Sequence, residues 1–171
     1  EIRKLNEELE QKVIERTDQL AKAIETVRKS EEKYKLIYEE SNDAILLLDV
    51  DKVIDVNRRG MQLFGIPKEE FLTIEMWDLT HMMTDELQAK LKLYKNKLKH
   101  SGTVKFSWIF KGRFNPIEAE VAIVELIIGK QVIHQCVIHD VTEKNNTIRA
   151  LEKSTRNFQS VLESTPEGIF I

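Results

Sequence analysis

Asp49, Asp51 and Asp55 stand close together in "LDVDKVIDVN", with the makings of a calcium loop. Such a loop needs an oxygen ligand at Val53, a glycine at Ile54 and a bidentate glutamate at Gly60. All three positions carry the wrong chemistry, so the stretch reads as a hairpin instead. His134 and His139 are the next candidate ligands, and their odd separation puts them on opposite faces of a strand, where they cannot share an ion. His81 precedes Met82 and Met83, which serve equally as soft ligands or as core filler. His100, beside a helix C-terminus, is explained as a cation favoured by the helix dipole. Cys136 is the single cysteine, so no internal disulfide forms and a reducing compartment is expected. The chain has no Gly-rich phosphate loop, Cys-pair zinc pattern, nucleophile elbow or helical zinc-protease motif. These residues point to neither a metal site nor a catalytic centre.

The elements that must position them begin with helices. Residues 1 to about 40 contain no Gly and no Pro and are rich in Glu, Lys, Gln, Leu and Ala. From Val13 an apolar seam runs through Thr17, Leu20, Ile24, Val27, Glu31, Tyr34 and Tyr38, in the alternating steps of a coiled coil. Upstream, Ile2, Leu5, Leu9 and Val13 follow steps that locally unwind such a supercoil. A helix of this length, roughly 60 Å, cannot bury its seam on one small domain and needs a partner helix. Val13, Leu20, Ile24, Val27 and Tyr34 are the expected dimer seam. A second helix starts at "DVTEKNN", where Asp140 and Glu143 have the spacing of a capping box. Its seam is Ile148, Leu151, Thr155, Phe158 and Leu162.

The two helices are related. Tyr34 aligns with Phe158 at a shift of 124 residues. At that shift Ile37 meets Val161, Tyr38 meets Leu162, Glu39 meets Glu163 and Ile45 meets Ile169. Repetition at a fixed shift marks an array of like modules. Residues 164–171 are therefore expected to open a second module, and both ends of the chain are expected to lie inside a longer protein.

Between the helices, "DAILLLDVDKVIDVN" reads as two short strands around Asp51-Lys52. Asn57 can cap a short helix, "RRGMQLF", closed by Gly65. Pro67 opens another turn and "MWDL" a further one. "TDELQAKLKLYKNKLKHSG" is a clear helix with Leu87, Leu91, Tyr94 and Leu98 on one face and its lysines on a solvated face. Three strands follow, 104–111, 116–128 and 131–139. The formal charge is −3, from 26 basic and 29 acidic residues with the signs interspersed. No basic stripe offers a nucleic-acid face, and no apolar run approaches a membrane span.

This order of elements, with "VNRRGMQLFGIPKEEF", "MWDL" and the closing "HDVTEKN", resembles a PAS domain. Asp140, Val141, Thr142 and Glu143 occupy positions similar to the Asp-Ile-Thr-Glu signature at which the last PAS strand passes into an output helix. "LNEELEQKVIERTDQLAKA" resembles the signalling helices of sensor histidine kinases. The first hairpin departs from the family in lacking the Gly of its usual Asp-Gly turn. The resemblance implies an α+β fold, a five-stranded antiparallel sheet with short helices and one long helix on one face, flanked by coiled-coil helices. The implied divisions are a signalling helix over 1–33, the PAS domain over 34–141, a linker helix over 142–163 and the start of a second PAS domain over 164–171.

The resemblance also points His134 and Cys136 toward a cavity between sheet and long helix. Phe106 and Trp108 share a face of their strand with Phe110. With His81 and Met61 these complete the candidate pocket, and Asp140, Thr142 and Glu143 are the candidate signal relay. The implied function is a non-catalytic, cytoplasmic, dimeric sensory module, with a small-molecule ligand and with further PAS and output domains downstream in the same chain. No nucleic acid and no direct membrane contact are expected. No cofactor is expected: the photoactive flavin motif has no counterpart here, and haem would depend on His81 or His100. A ligand-free dimerisation spacer and a haem or flavin redox sensor are the alternatives.

Overall fold

The computed structural model describes residues 1–80 and 84–164, and it divides into two units, Glu1–Ser41 and Asn42–Ile171. The first is a single helix, α1, Ile2–Glu39, none of whose residues is buried. Without Gly or Pro, nothing interrupts its backbone ladder. Pairs one turn apart, such as Asp18 with Lys22 and Arg28 with Glu32, add modest support along its exposed faces. The seam residues Leu20, Ile24, Val27 and Tyr34 all lie exposed on it.

The second unit runs β1 (Ala44–Asp49), β2 (Lys52–Val56), α2 (Arg58–Phe64), α3 (Lys68–Phe71), a 3-10 turn at Met76–Leu79, α4 (Asp85–Ser101), β3 (Thr103–Phe110), β4 (Ile117–Ile128), β5 (Gln131–Asp140) and α5 (Thr142–Ser164). The strands form one antiparallel sheet in the order β2-β1-β5-β4-β3. The period of two decides its faces. Val104, Phe106, Trp108 and Phe110 of β3 are buried while the residues between them are exposed. Ala44, Leu46 and Leu48 of β1 and Cys136 and Ile138 of β5 join them in one core cluster with Phe64, Phe71 and Met76. Phe64 holds this core edge-on to both Phe71 and Phe110, at centroid separations of 5.9 and 5.6 Å.

Two local features decide how the short helices sit. Asn57, fully buried, accepts hydrogen bonds at Oδ1 from the N–H groups of Gly60 and Ile45, each at 2.9 Å, and donates through Nδ2 to the Asp43 carbonyl at 3.0 Å. It thus caps α2 and ties it to β1 at once. Gly60 lets α2 lie against β2, since a Cβ there would stand 2.5 Å from Val56 Cγ2.

The first turn differs from the sequence expectation. Asp49 pairs with Lys52, so the tip is Val50-Asp51 rather than Asp51-Lys52. Val50 takes φ 58°, a left-handed conformation that a β-branched residue adopts only at a cost. The missing Gly is replaced by strain at Val50. None of the helices in the described residues is long and apolar enough to cross a membrane.

Candidate functional site

A cavity of about 270 Å³ opens between α4, the β1–β2 turn and the inner face of the sheet. Leu48, Leu98, Val104 and Ile123 form its apolar part, Trp77 and Tyr94 its aromatic part, and Asp51, Lys95, Lys99 and His134 its polar part, with Val50 beside them. Asp51 organises the mouth. Its Oδ1 accepts the indole N–H of Trp77 at 2.9 Å, and its Oδ2 accepts the ammonium of Lys95. The hairpin, the 3-10 turn and α4 are thereby drawn onto one carboxylate. The 3-10 turn is fastened further by its own capping box, Glu75 with Asp78, and by the Met76 N–H donating to the Asp51 carbonyl at 2.8 Å.

His134 enters from β5, its ring Nδ1 3.2 Å from the carbonyl of the strained Val50. A carbonyl only accepts, so Nδ1 carries the hydrogen and Nε2 faces Glu125, 3.6 Å away. Lys99 lies one helical turn beyond Lys95, is exposed, and has no ion-pair partner among the described residues.

Residues 32–93 match the family model described as PAS domain. The chain contains a PAS domain. Over 144 residues it is 24% identical to sporulation kinase E of Bacillus subtilis (strain 168), a match spanning 82% of this chain and 18% of that kinase. Among solved structures, the PAS domain of an HTR-like protein from Haloarcula marismortui superposes with a TM-score of 0.58 at 20% identity, covering 70% of this chain and 98% of that one. The PAS domain of a two-component sensor histidine kinase gives 0.56 at 10% identity, covering 67% and 98%. The chain thus carries a domain similar to PAS domains, and it is related in sequence to a histidine kinase.

Within this PAS domain the candidate pocket residues part company. His134 lines the cavity. Cys136, on the same face of β5, does not: it is wholly buried in the core, and burial pushes its thiol pKa up. Phe106 and Trp108 do not line it either, because the helix interposes its own ring. Tyr94 stacks on Phe106 with centroids 4.2 Å apart, Trp77 packs edge-on to Trp108, and Tyr94 and Trp77 are the rings at the cavity. The indole N–H of Trp108 is spent on Thr80 Oγ1 at 3.1 Å. Met61 packs against the core from α2, away from the cavity lining. His81 lies outside the described residues. His100 is exposed at the end of α4, its Nδ1 2.7 Å from the Asn96 carbonyl. Among the described residues, no three His, Cys, Asp or Glu side chains cluster as a metal site.

The aromatic and charged cavity residues not anticipated were Trp77, Tyr94, Asp51, Lys95 and Lys99. A signal for the last two existed. Lys95 and Lys99 directly follow Tyr94 and Leu98, the apolar stripe of α4, so they border the buried face instead of opposing it.

The signature positions form a joint. Asp140 Oδ1 accepts the Thr142 N–H at 2.9 Å. Glu143 makes no reciprocal bond among the described residues, so the capping box expected from its spacing is replaced. Its place is taken by Glu118 of β4. The Val141 N–H donates to the Glu118 carbonyl, and Thr142 Oγ1 accepts the Glu118 N–H, each at 2.9 Å. The Glu118 carboxylate receives Arg149 through two N–H groups, at 2.7 and 2.9 Å, and Asn145 Nδ2 at 2.7 Å. The Arg149 guanidinium, followed by Asn145, holds the Glu118 carboxyl below its usual range. Glu118 was not singled out in the sequence, because its partners lie 27 and 31 residues away.

Proposed function

We propose that this chain is a non-catalytic sensory and signal-transmission module of a larger signalling receptor. The observation that carries the reading is a shared strand. β5 presents His134 to the cavity and, at its other end, Asp140 to the exit helix. β4 repeats the arrangement with Ile123 at the cavity and Glu118 clamping α5. An occupant that shifts either strand therefore acts on the footing of α5, and the likeness to a kinase supports an output domain further along the chain. The cavity is near the lower end of ligand-site volumes, about 300–1,000 Å³, and suits a small molecule better than a haem or flavin.

The module is proposed to work as a parallel homodimer in the cytoplasm, without direct membrane or nucleic-acid contact. Support comes from the stripe of Val13, Leu20, Ile24, Val27 and Tyr34, exposed along α1, and from Ile148, Leu151 and Phe158 on α5. Rows of this kind are characteristic of helices that pair. Asp140 and Thr142 then relay the signal, with Glu118 in the part first given to Glu143.

The test is hydrogen exchange in α5 when the cavity is filled from within. Ile123→Phe occupies the space a ligand would take. Altered exchange across Thr142–Ile148 supports a sensory module. Changes confined to the strands around Ile123 leave a ligand-free spacer as the better description.

A further inference from the structure

We propose that the cavity of this PAS domain takes a small organic monocarboxylate, an apolar tail in the interior and its carboxylate at the mouth beside Lys99. The proposal rests on the sensory reading above and assigns its ligand a charge.

Most of the polar groups on the cavity lining are already committed to one another. Among the described residues Asp51 is the only acid on the lining, and each of its oxygens holds a partner, Trp77 on one and Lys95 on the other. A ligand cation there would have to share a carboxylate whose charge Lys95 already balances. Lys95 is neutralised by that same carboxylate. His134 is committed through Nδ1 to Val50 and faces Glu125 with Nε2. Lys99 alone among these charged groups has no partner among the described residues. The rim thus carries one uncompensated positive charge above a floor of Leu48, Leu98, Val104 and Ile123. Such a site favours a molecule with one anionic end and an apolar body. A dianion would find a second cation only by displacing Asp51 from Lys95, and an amine would meet Lys99 with like charge.

The experiment titrates the full chain with hexanoate, hexanamide and hexylamine at fixed ionic strength. The readout is the indole N–H resonances of Trp77 and Trp108, the only tryptophans of the chain. Trp77 lines the cavity and Trp108 does not, so binding there moves the first resonance and leaves the second. Hexanoate is expected to bind, and the amide and amine to bind more weakly. Lys99→Gln is expected to weaken hexanoate roughly fivefold, the scale of an exposed ion pair. Lys99→Glu is expected to reverse the order, so that hexylamine binds best. Lys99 is exposed, so both variants should fold as the wild type does. Equal binding of hexanoate and hexanamide, unmoved by Lys99→Glu, would overturn the carboxylate while keeping a ligand cavity. No movement of the Trp77 resonance with any of the three would overturn both the carboxylate and the cavity as a site for such molecules.

Discussion

Asn57 offers the most quantitative check on how the PAS core is assembled. Its side chain is hydrogen-bonded from a fully buried position, accepting from the Gly60 and Ile45 N–H groups and donating to the Asp43 carbonyl. Replacing it with alanine removes the cap of α2, a loss of about 1 kcal/mol. It also leaves the Ile45 N–H and the Asp43 carbonyl without that partner. Both residues are only partly buried, so each should cost close to the lower end of the range for an unsatisfied group, about 1 kcal/mol. The sum for Asn57→Ala is about 3 kcal/mol, a large share of the roughly 5–15 kcal/mol that holds a domain together. For a domain of this size the melting temperature should fall by roughly 12–20 °C. Urea melts should show a lower midpoint with an unchanged slope.

Asn57→Asp separates the hydrogen bonds from the shape. Protonated, its carboxyl offers both the acceptor and the donor that the amide supplies. Ionised, it sets an anion against the Asp43 carbonyl in a buried site. Burial raises the folded-state pKa of such a carboxyl. Its bonds are therefore fully present below the unfolded value, about 3.9, and are lost as pH rises through the folded one. At neutral pH Asn57→Asp should be as unstable as Asn57→Ala or more so, and below about pH 4 it should be the more stable of the two. A melting temperature for Asn57→Ala within about 3 °C of the wild type would refute the accounting. So would two variants that run in parallel across pH.

Four further outcomes follow from the same contacts. Leu20→Glu should halve the mass found by light scattering, because the charge falls in the proposed helix seam; a wild-type monomer at high micromolar concentration would end the dimer proposal. Asp140→Ala should speed hydrogen exchange across Thr142–Ile148 while leaving the sheet intact, since it removes one cap worth about 1 kcal/mol; global unfolding, or no change, would give Asp140 a different part. The depressed Glu118 pKa means that its clamp on Arg149 is fully present above the unfolded value of 4.5 and is lost as pH falls through the folded one. Exchange in α5 should thus rise in acid, and Glu118→Gln should abolish that step. Cys136 should resist thiol reagents until the domain opens. Its raised pKa also means that the unfolded chain ionises first above about 9, so the wild type should lose stability relative to Cys136→Ala as pH climbs beyond that value.

Much of this architecture was legible in the residues themselves, and the reason is that it depends on local chemistry. The alternation in "TVKFSWIF" decides which face of β3 is buried whatever lies opposite. Asn57 at the head of a short apolar helix is a cap in any fold, and Gly65, with φ 68°, closes that helix as expected. The absence of Gly and Pro from residues 1–40 leaves the backbone ladder of α1 uninterrupted. What could not be read is whatever arises between residues that meet only after folding. Val50 is bent into a left-handed turn because the β1–β2 register leaves two residues for the tip. Cys136 and His134 share a face of one strand, yet only His134 reaches the cavity, because helices close over the middle of the sheet and leave an opening toward the β1–β2 turn. Lys95 looked like part of a solvated face until Asp51, 44 residues earlier, was brought beside it. Glu118 was an ordinary outward acid of an alternating strand until Arg149 arrived from the exit helix. Hydrophobic period and caps act over a few residues and are written in the sequence; charge pairing and cavity shape depend on distances that only the packed chain possesses.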